Sequence, residues 1–175
     1  MPHDALQLQP FDGFPDDARL WLAAFPRPLL PEEQARLRAH FESFRPHWKS
    51  HGEPIDSAFA LLDGQVLAVA ERTMLTQPSG CAIDAMLRQV YKASDLLELP
   101  LIDAQKVLVR AGGNLQAVPK TRLEAMLQGG EIGSDTPVLD LTLQHLGELR
   151  QGGLEKPLGQ TWIARKYAAV LSPQG

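Results

Sequence analysis

Hydrophobic spacing changes character several times along the chain, and the changes predict an α+β fold. Ala18 to Phe25 is nearly continuous apolar sequence, the pattern of a strand covered on both faces, and Pro26 and Pro28 end it. Pro31-Glu32-Glu33 then opens a helix, since proline suits the first turn and acids there complement the macrodipole. Leu37, Phe41, Phe44 and Trp48 recur at helical spacing, with Pro46 disturbing the last turn. Ser57 to Leu62 and Gln65 to Glu71 flank Asp63-Gly64, a two-residue turn suited to a type I′ hairpin in the sheet centre.

The second half repeats these elements more briefly. Ile83, Met86, Leu87, Val90 and Tyr91, then Leu96 and Leu97, follow a helical period until Pro100. Lys106 to Arg110 and Leu115 to Val118 around Gly112-Gly113 form a second hairpin. Pro119 starts a short helix with Leu123, Met126 and Leu127 inward, closed by Gly129-Gly130. Pro137 to Leu141 is a further strand, and Thr142 caps a helix carrying Leu143, Leu146 and Leu149. The tail, with Trp162, Ile163, Tyr167 and Val170, is too apolar to stand free in solvent. Two hairpins among about four helices predict a single α+β domain over residues 18–175, built on a mainly antiparallel sheet. Residues 119–175 form a candidate C-terminal subdomain. Residues 1–17 read as an irregular arm in which Phe11 and Phe14 tuck against the body.

Composition narrows the function classes. A chain of 175 residues with 44% hydrophobic and 22% charged residues has the makings of one well-buried core. A net charge of −4 argues against a strong phosphate-backbone binder, so nucleic acid is not an expected partner. No run of about 18 apolar residues predicts a membrane helix. Met1 to Gln7 lack a signal-peptide pattern, and one cysteine makes no internal disulfide. A cytoplasmic protein is expected, with a protein partner or a homodimer as open possibilities.

The most suggestive chemistry is Gln77-Pro78-Ser79-Gly80-Cys81-Ala82-Ile83-Asp84, a loop-to-helix junction holding the only cysteine. With Ser79 as N-cap, the thiol falls in the first helical turn, where the dipole favours a thiolate nucleophile or redox sensor. The structural alternative, a small buried residue packing beside a tight Gly80 turn, is favoured. His51 is the candidate base in the catalytic alternative. His47 and His51, four apart, suggest two imidazoles on one helical face, but Trp48 stands where a zincin glutamate belongs, and no metal site is expected. A serine elbow fails because Gln77 and Cys81 occupy its glycine positions. A P-loop ending in Lys120-Thr121 fails because Asn114 and Pro119 replace both glycines, and no nucleotide cofactor is expected. Trp21, Trp48 and Trp162 are expected to be core anchors, and Arg36, Arg38, Arg45 and Lys49 a solvated helix face.

Taken together, Trp21, Trp48-Lys49-Ser50-His51-Gly52, Ser57-Ala58-Phe59, Val66-Leu67-Ala68, Ser79-Gly80-Cys81-Ala82-Ile83-Asp84 and Trp162-Ile163-Ala164-Arg165 resemble an uncharacterised bacterial protein family with an S-G-C-x-I-D box and a W-x-A-R tail. Members are sometimes labelled "ABC transporter ATPase", which this chain contradicts by lacking Walker motifs. The resemblance points to Ser79, Gly80, Cys81, Asp84, His51, Trp162 and Arg165, and it transfers no activity. Trp48 is a further candidate, and Asp84 is expected to bind a nearby backbone group or a basic side chain such as Arg165. Val118 to Val138 is also similar to the later half of bacterial GYF-type domains, small protein-interaction modules, although Leu115 and Leu139 stand near where aromatics are expected. The function expected is a non-enzymatic regulatory or interaction protein. The alternatives are a cysteine-dependent enzyme or sensor, and a peptide-binding module in the C-terminal segment.

Overall fold

Proline and positive-φ turns punctuate the chain where the sequence predicts, and the result is an α+β fold with antiparallel sheets. The computed structural model describes residues 5–72 and 79–171. Within it the chain divides into two units, Met1–Leu101 with Leu141–Gly152, and Ile102–Asp140 with Gly153–Gly175.

The N-terminal arm is more regular than expected. A short helix α1 (Ala5–Leu8) passes into a 3-10 turn, Gln9–Phe11. Phe11 is fully buried and meets the Phe14 ring edge-on at 6.5 Å between centroids. Strand β1 (Arg19–Ala24) follows, then α2 (Pro31–Phe44), entered through proline as its spacing requires. Glu33 completes this helix start. Its carboxylate accepts from the Leu30 amide at 2.8 Å and takes both guanidinium nitrogens of Arg27, at 2.9 and 2.8 Å. The Arg27 hydrogen bonds, then the Leu30 amide, hold the Glu33 carboxyl down at about 2 against an ordinary 4.5. A depressed carboxyl stabilises the fold above its ordinary pKa, and that contribution fades as pH falls from about 4.5 through about 2. Glu33→Gln is therefore expected to lower the urea midpoint at neutral pH, with wild type and variant converging in acid. A gap independent of pH would contradict this account.

Pro46 ends the regular helix, and a 3-10 turn (Arg45–His47) leads out of it. Leu37 and Phe41 are buried on α2, but Trp48 lies beyond the helix, leading into the small hairpin of β2 (Lys49–Ser50) and β3 (Glu53–Pro54). Strands β4 (Asp56–Leu62) and β5 (Val66–Arg72) form the predicted main hairpin. Asp63 and Gly64 take φ values of +52° and +66°, as a type I′ turn demands. The sheet order is β1-β5-β4, so β5 is central while β4 and β1 are edges, a partial correction to a hairpin wholly in the centre. Gln65 falls out of the β4–β5 register. Its side-chain amide donates to the Phe25 carbonyl and its own carbonyl accepts from the Phe25 amide, both at 2.9 Å. Arg19, Glu71 and Ser57 are register partners in a polar row across this sheet, and Asp56 pairs with Arg72 beside it.

Helix α3 (Gly80–Leu97) covers the same sheet, and its buried stripe is Ala82, Met86, Val90, Ala93 and Leu97. The predicted stripe is thus rotated. Leu87 and Tyr91 lie outside it and are exposed. The stripe packs with Phe25, Leu37, Phe41, Trp48, Leu67 and Val69 into the first core.

In the second unit, β6 (Lys106–Ala111) and β7 (Asn114–Pro119) make the second predicted hairpin through Gly112-Gly113. A 3-10 turn, Lys120–Arg122, precedes α4 (Leu123–Gln128), whose Leu123, Met126 and Leu127 are all buried. Strand β8 (Pro137–Leu139) pairs with β6. The chain then contributes α5 (Leu146–Arg150) to the first unit. This helix starts later than a Thr142 cap would place it. Glu148 Oε1 accepts from the amides of Gln144 and His145, both at 3.0 Å, and these contacts, led by Gln144, hold its carboxyl below the usual range. Strand β9 (Glu155–Pro157) completes the second sheet in the order β7-β6-β8-β9. Helices α6 (Trp162–Lys166) and α7 (Ala168–Leu171) follow, and fully buried Ile163 docks α6 into the second core.

Candidate functional site

The W-K-S-H-G and S-G-C-A-I-D segments, 29 residues apart from Ser50 to Ser79, meet at the start of α3. Ser79 adopts extended backbone angles and accepts from the Ala82 amide through its hydroxyl at 3.1 Å, which makes it the predicted N-cap. The Ser79 amide donates to the Ser50 hydroxyl at 2.9 Å. The Trp48 indole N–H donates to the Ala82 carbonyl at 2.8 Å, in a buried contact. The Trp48 ring meets Trp21 edge-on at 6.2 Å and Phe44 at 5.7 Å, and the Trp48 carbonyl accepts from the Ile55 amide at 2.9 Å. Residues 48–55 are thereby clamped under the first turn of α3 by one buried indole and one serine hydroxyl.

The other predicted site residues take different places. Cys81 is exposed, which overturns the packed-thiol reading. The physical reason is its angular position, since Ala82 and Met86 face the core while Cys81 sits one residue off that line. Gly80 makes no close approach either, because a Cβ added there would meet nothing within 4 Å. His51 is exposed at the β2–β3 turn with φ of +52°, followed by Gly52 at +80°. No hydrogen bond joins His51 to Cys81 among the described residues. His47 lies in the 3-10 turn and His51 on the hairpin, so the two do not share a helical face. Among the described residues no three His, Cys, Asp or Glu side chains gather as a metal site. Asp84 is exposed on α3 of the first unit and Arg165 on α6 of the second. Trp162 is 37% exposed, so of the three tryptophans expected in the core only Trp48 is fully buried. Gln77 and Pro78, which entered the test for a serine elbow, lie outside the described residues.

Ser50 is the participant that motif reasoning passed over. It sits inside the W-K-S-H-G run, but a hydroxyl beside a turn carries no local mark of a partner far along the chain. A separate half-open cleft of about 410 Å³ flanks β1 and is lined by Arg19 to Leu22 and Leu141 to His145, without Cys81 or His51. Among the described residues no helix is long and apolar enough to cross a membrane. Comparison with protein-family models, curated proteins and solved structures gives no match.

Proposed function

We propose that this chain is a non-enzymatic cytoplasmic interaction or regulatory protein in which the Ser79-Gly80-Cys81 helix start is a structural junction. The observation carrying this reading is how the polar groups of the junction are used. The Ser79 amide and the Ala82 carbonyl hold residues 48–55 to α3, through the Ser50 hydroxyl and the Trp48 indole, while the Ser79 hydroxyl caps the helix. His51, the candidate base, stands on an exposed turn without a hydrogen bond to the thiol. The S-G-C-x-I-D resemblance adds emphasis to this junction without adding an activity. The likeness of Val118 to Val138 to GYF-type modules is compatible with a protein partner.

The exposure of Cys81 favours a second reading, a thiol available for covalent or redox chemistry at a helix start. One experiment separates the two. Iodoacetamide alkylation is followed against pH in native and in urea-unfolded protein. A native profile that tracks the unfolded one is expected. A native rate that persists well below the free-cysteine range of about 8.5 overturns the non-enzymatic reading.

A further inference from the structure

The second unit holds seven Lys and Arg against six Asp and Glu, inside a chain whose net charge is −4. Two of those cations are paired internally, Arg110 with Glu155 and Lys156 with Asp140. Lys106, Lys120, Arg122, Arg165 and Lys166 have no ion-pair partner among the described residues. Topology gathers them. Lys106 opens β6 opposite Pro119 at the end of β7, and Lys120 follows directly, its amide donating to the Gln105 carbonyl at 2.8 Å. The Lys120 ammonium lies 5.3 Å from the centroid of the Trp162 ring. Trp162 is the first residue of α6, which places Arg165 and Lys166 one turn along the same helical face. Ile163 anchors that helix at 0% exposure while its neighbour Trp162 is held at the surface at 37%. The acid nearest in this loop, Asp103, accepts from the Gln105 amide at 2.8 Å.

We propose that this face binds single-stranded nucleic acid, with Trp162 as a base-stacking platform and Lys106, Lys120, Arg165 and Lys166 on the phosphates. An exposed indole among unpaired cations supplies both terms that such binding needs, a stacking surface and a track of positive charge. An acidic peptide would satisfy the cations and leave the indole without a matching partner. The negative charge of the whole chain is no obstacle, because counterion release depends on the cations actually in contact with phosphate. The inference rests on reading the chain as a binding protein. The Cys81 alkylation profile tests that reading separately, in the other unit.

The test is fluorescence anisotropy of a labelled oligo-dT strand titrated with the full chain at increasing salt. Saturable binding is expected, weakening with salt by a slope of about −0.7 per phosphate contact, so that the combined K120Q, R165Q and K166Q variant reduces the slope by about 2. Trp162→Ala is expected to weaken binding roughly 5- to 100-fold, the loss of one base–aromatic stack. Lys49→Gln in the first unit should change nothing. Absence of binding at low salt, affinity indifferent to Trp162→Ala, or equal affinity for duplex would each overturn the proposal. So would displacement by polyglutamate as effective as by unlabelled strand, which would assign the face to acidic peptides. Should Trp162→Ala disturb the circular dichroism spectrum, the charge variant decides alone, and an unchanged salt slope overturns the proposal.

Discussion

Trp48→Ala is expected to lower the unfolding free energy of the first unit by about 3–5 kcal/mol, the range for truncating a buried large aromatic side chain. Trp48 is only 1% exposed and belongs to the core formed by α2, α3 and the β1-β5-β4 sheet. Truncation would remove its contacts with Trp21 and Phe44 and leave a cavity within that cluster. It would also remove the indole hydrogen bond to the Ala82 carbonyl. Trp48→Phe separates these effects. It keeps most of the apolar burial and loses the hydrogen bond, so a smaller loss of about 1–3 kcal/mol is expected. Urea unfolding followed by near-ultraviolet circular dichroism reads both. A Trp48→Ala loss below about 1 kcal/mol would mean that the junction carries little of the stability, contrary to a structural role. The same variant links packing to the proposed function. If the junction exists to hold the fold, Trp48→Ala should loosen Cys81 and its helix start together, measurable as faster amide exchange over the first turn of α3.

What could be read from the sequence divides along a physical line. Asp63-Gly64 and Gly112-Gly113 announce their hairpins because positive φ is a demand made by the turn itself, and few residues meet it. Pro31-Glu32-Glu33 and Ser79 announce helix starts through chemistry that is equally local, a preset φ at Pro31 and a hydroxyl that accepts a first-turn amide at Ser79. The helix containing Leu146 was misplaced because its start is fixed by Glu148 reaching back to two amides, a choice that Thr142 competes for on paper. The face of α3 was misread by residue size. Ile83, Leu87 and Tyr91 are larger than Ala82 and Ala93, yet it is the alanines that lie on the buried face. That rotation is also why Cys81 points outward. Least legible was everything between distant segments, from Ser50 under Ser79 to the return of residues 141–152 to the first unit. Backbone and hydroxyl partners leave no periodic trace.

Gly147→Ala is expected to destabilise the first unit by about 1–3 kcal/mol, although a helical glycine replaced by alanine ordinarily gains about 0.5–1 kcal/mol. Gly147 is buried as the second residue of α5, and its amide donates to the Asp16 carbonyl at 2.8 Å. A Cβ added there would lie 2.9 Å from the Asp16 Cβ and 3.1 Å from the Asp16 carbonyl oxygen. Asp16 has little room to retreat, since Arg150 holds its carboxylate at 2.7 Å and the Phe11 carbonyl at 2.9 Å. Phe11 is itself fully buried. The strain would therefore pass into the ties that fasten this segment to β1, the Leu20 amide on the Gln144 carbonyl and the Leu146 amide on the Ala18 carbonyl, each at 2.9 Å. Gly80→Ala is the matched control. Its Cβ would meet nothing within 4 Å, so the ordinary helical preference is unopposed and the variant should be neutral or slightly stabilised. Urea midpoints of the two variants should thus move in opposite directions or by clearly different amounts. A Gly147→Ala protein as stable as wild type would mean that α5 can shift away from the arm, and that the contacts of Asp16 do not fix the return segment in place.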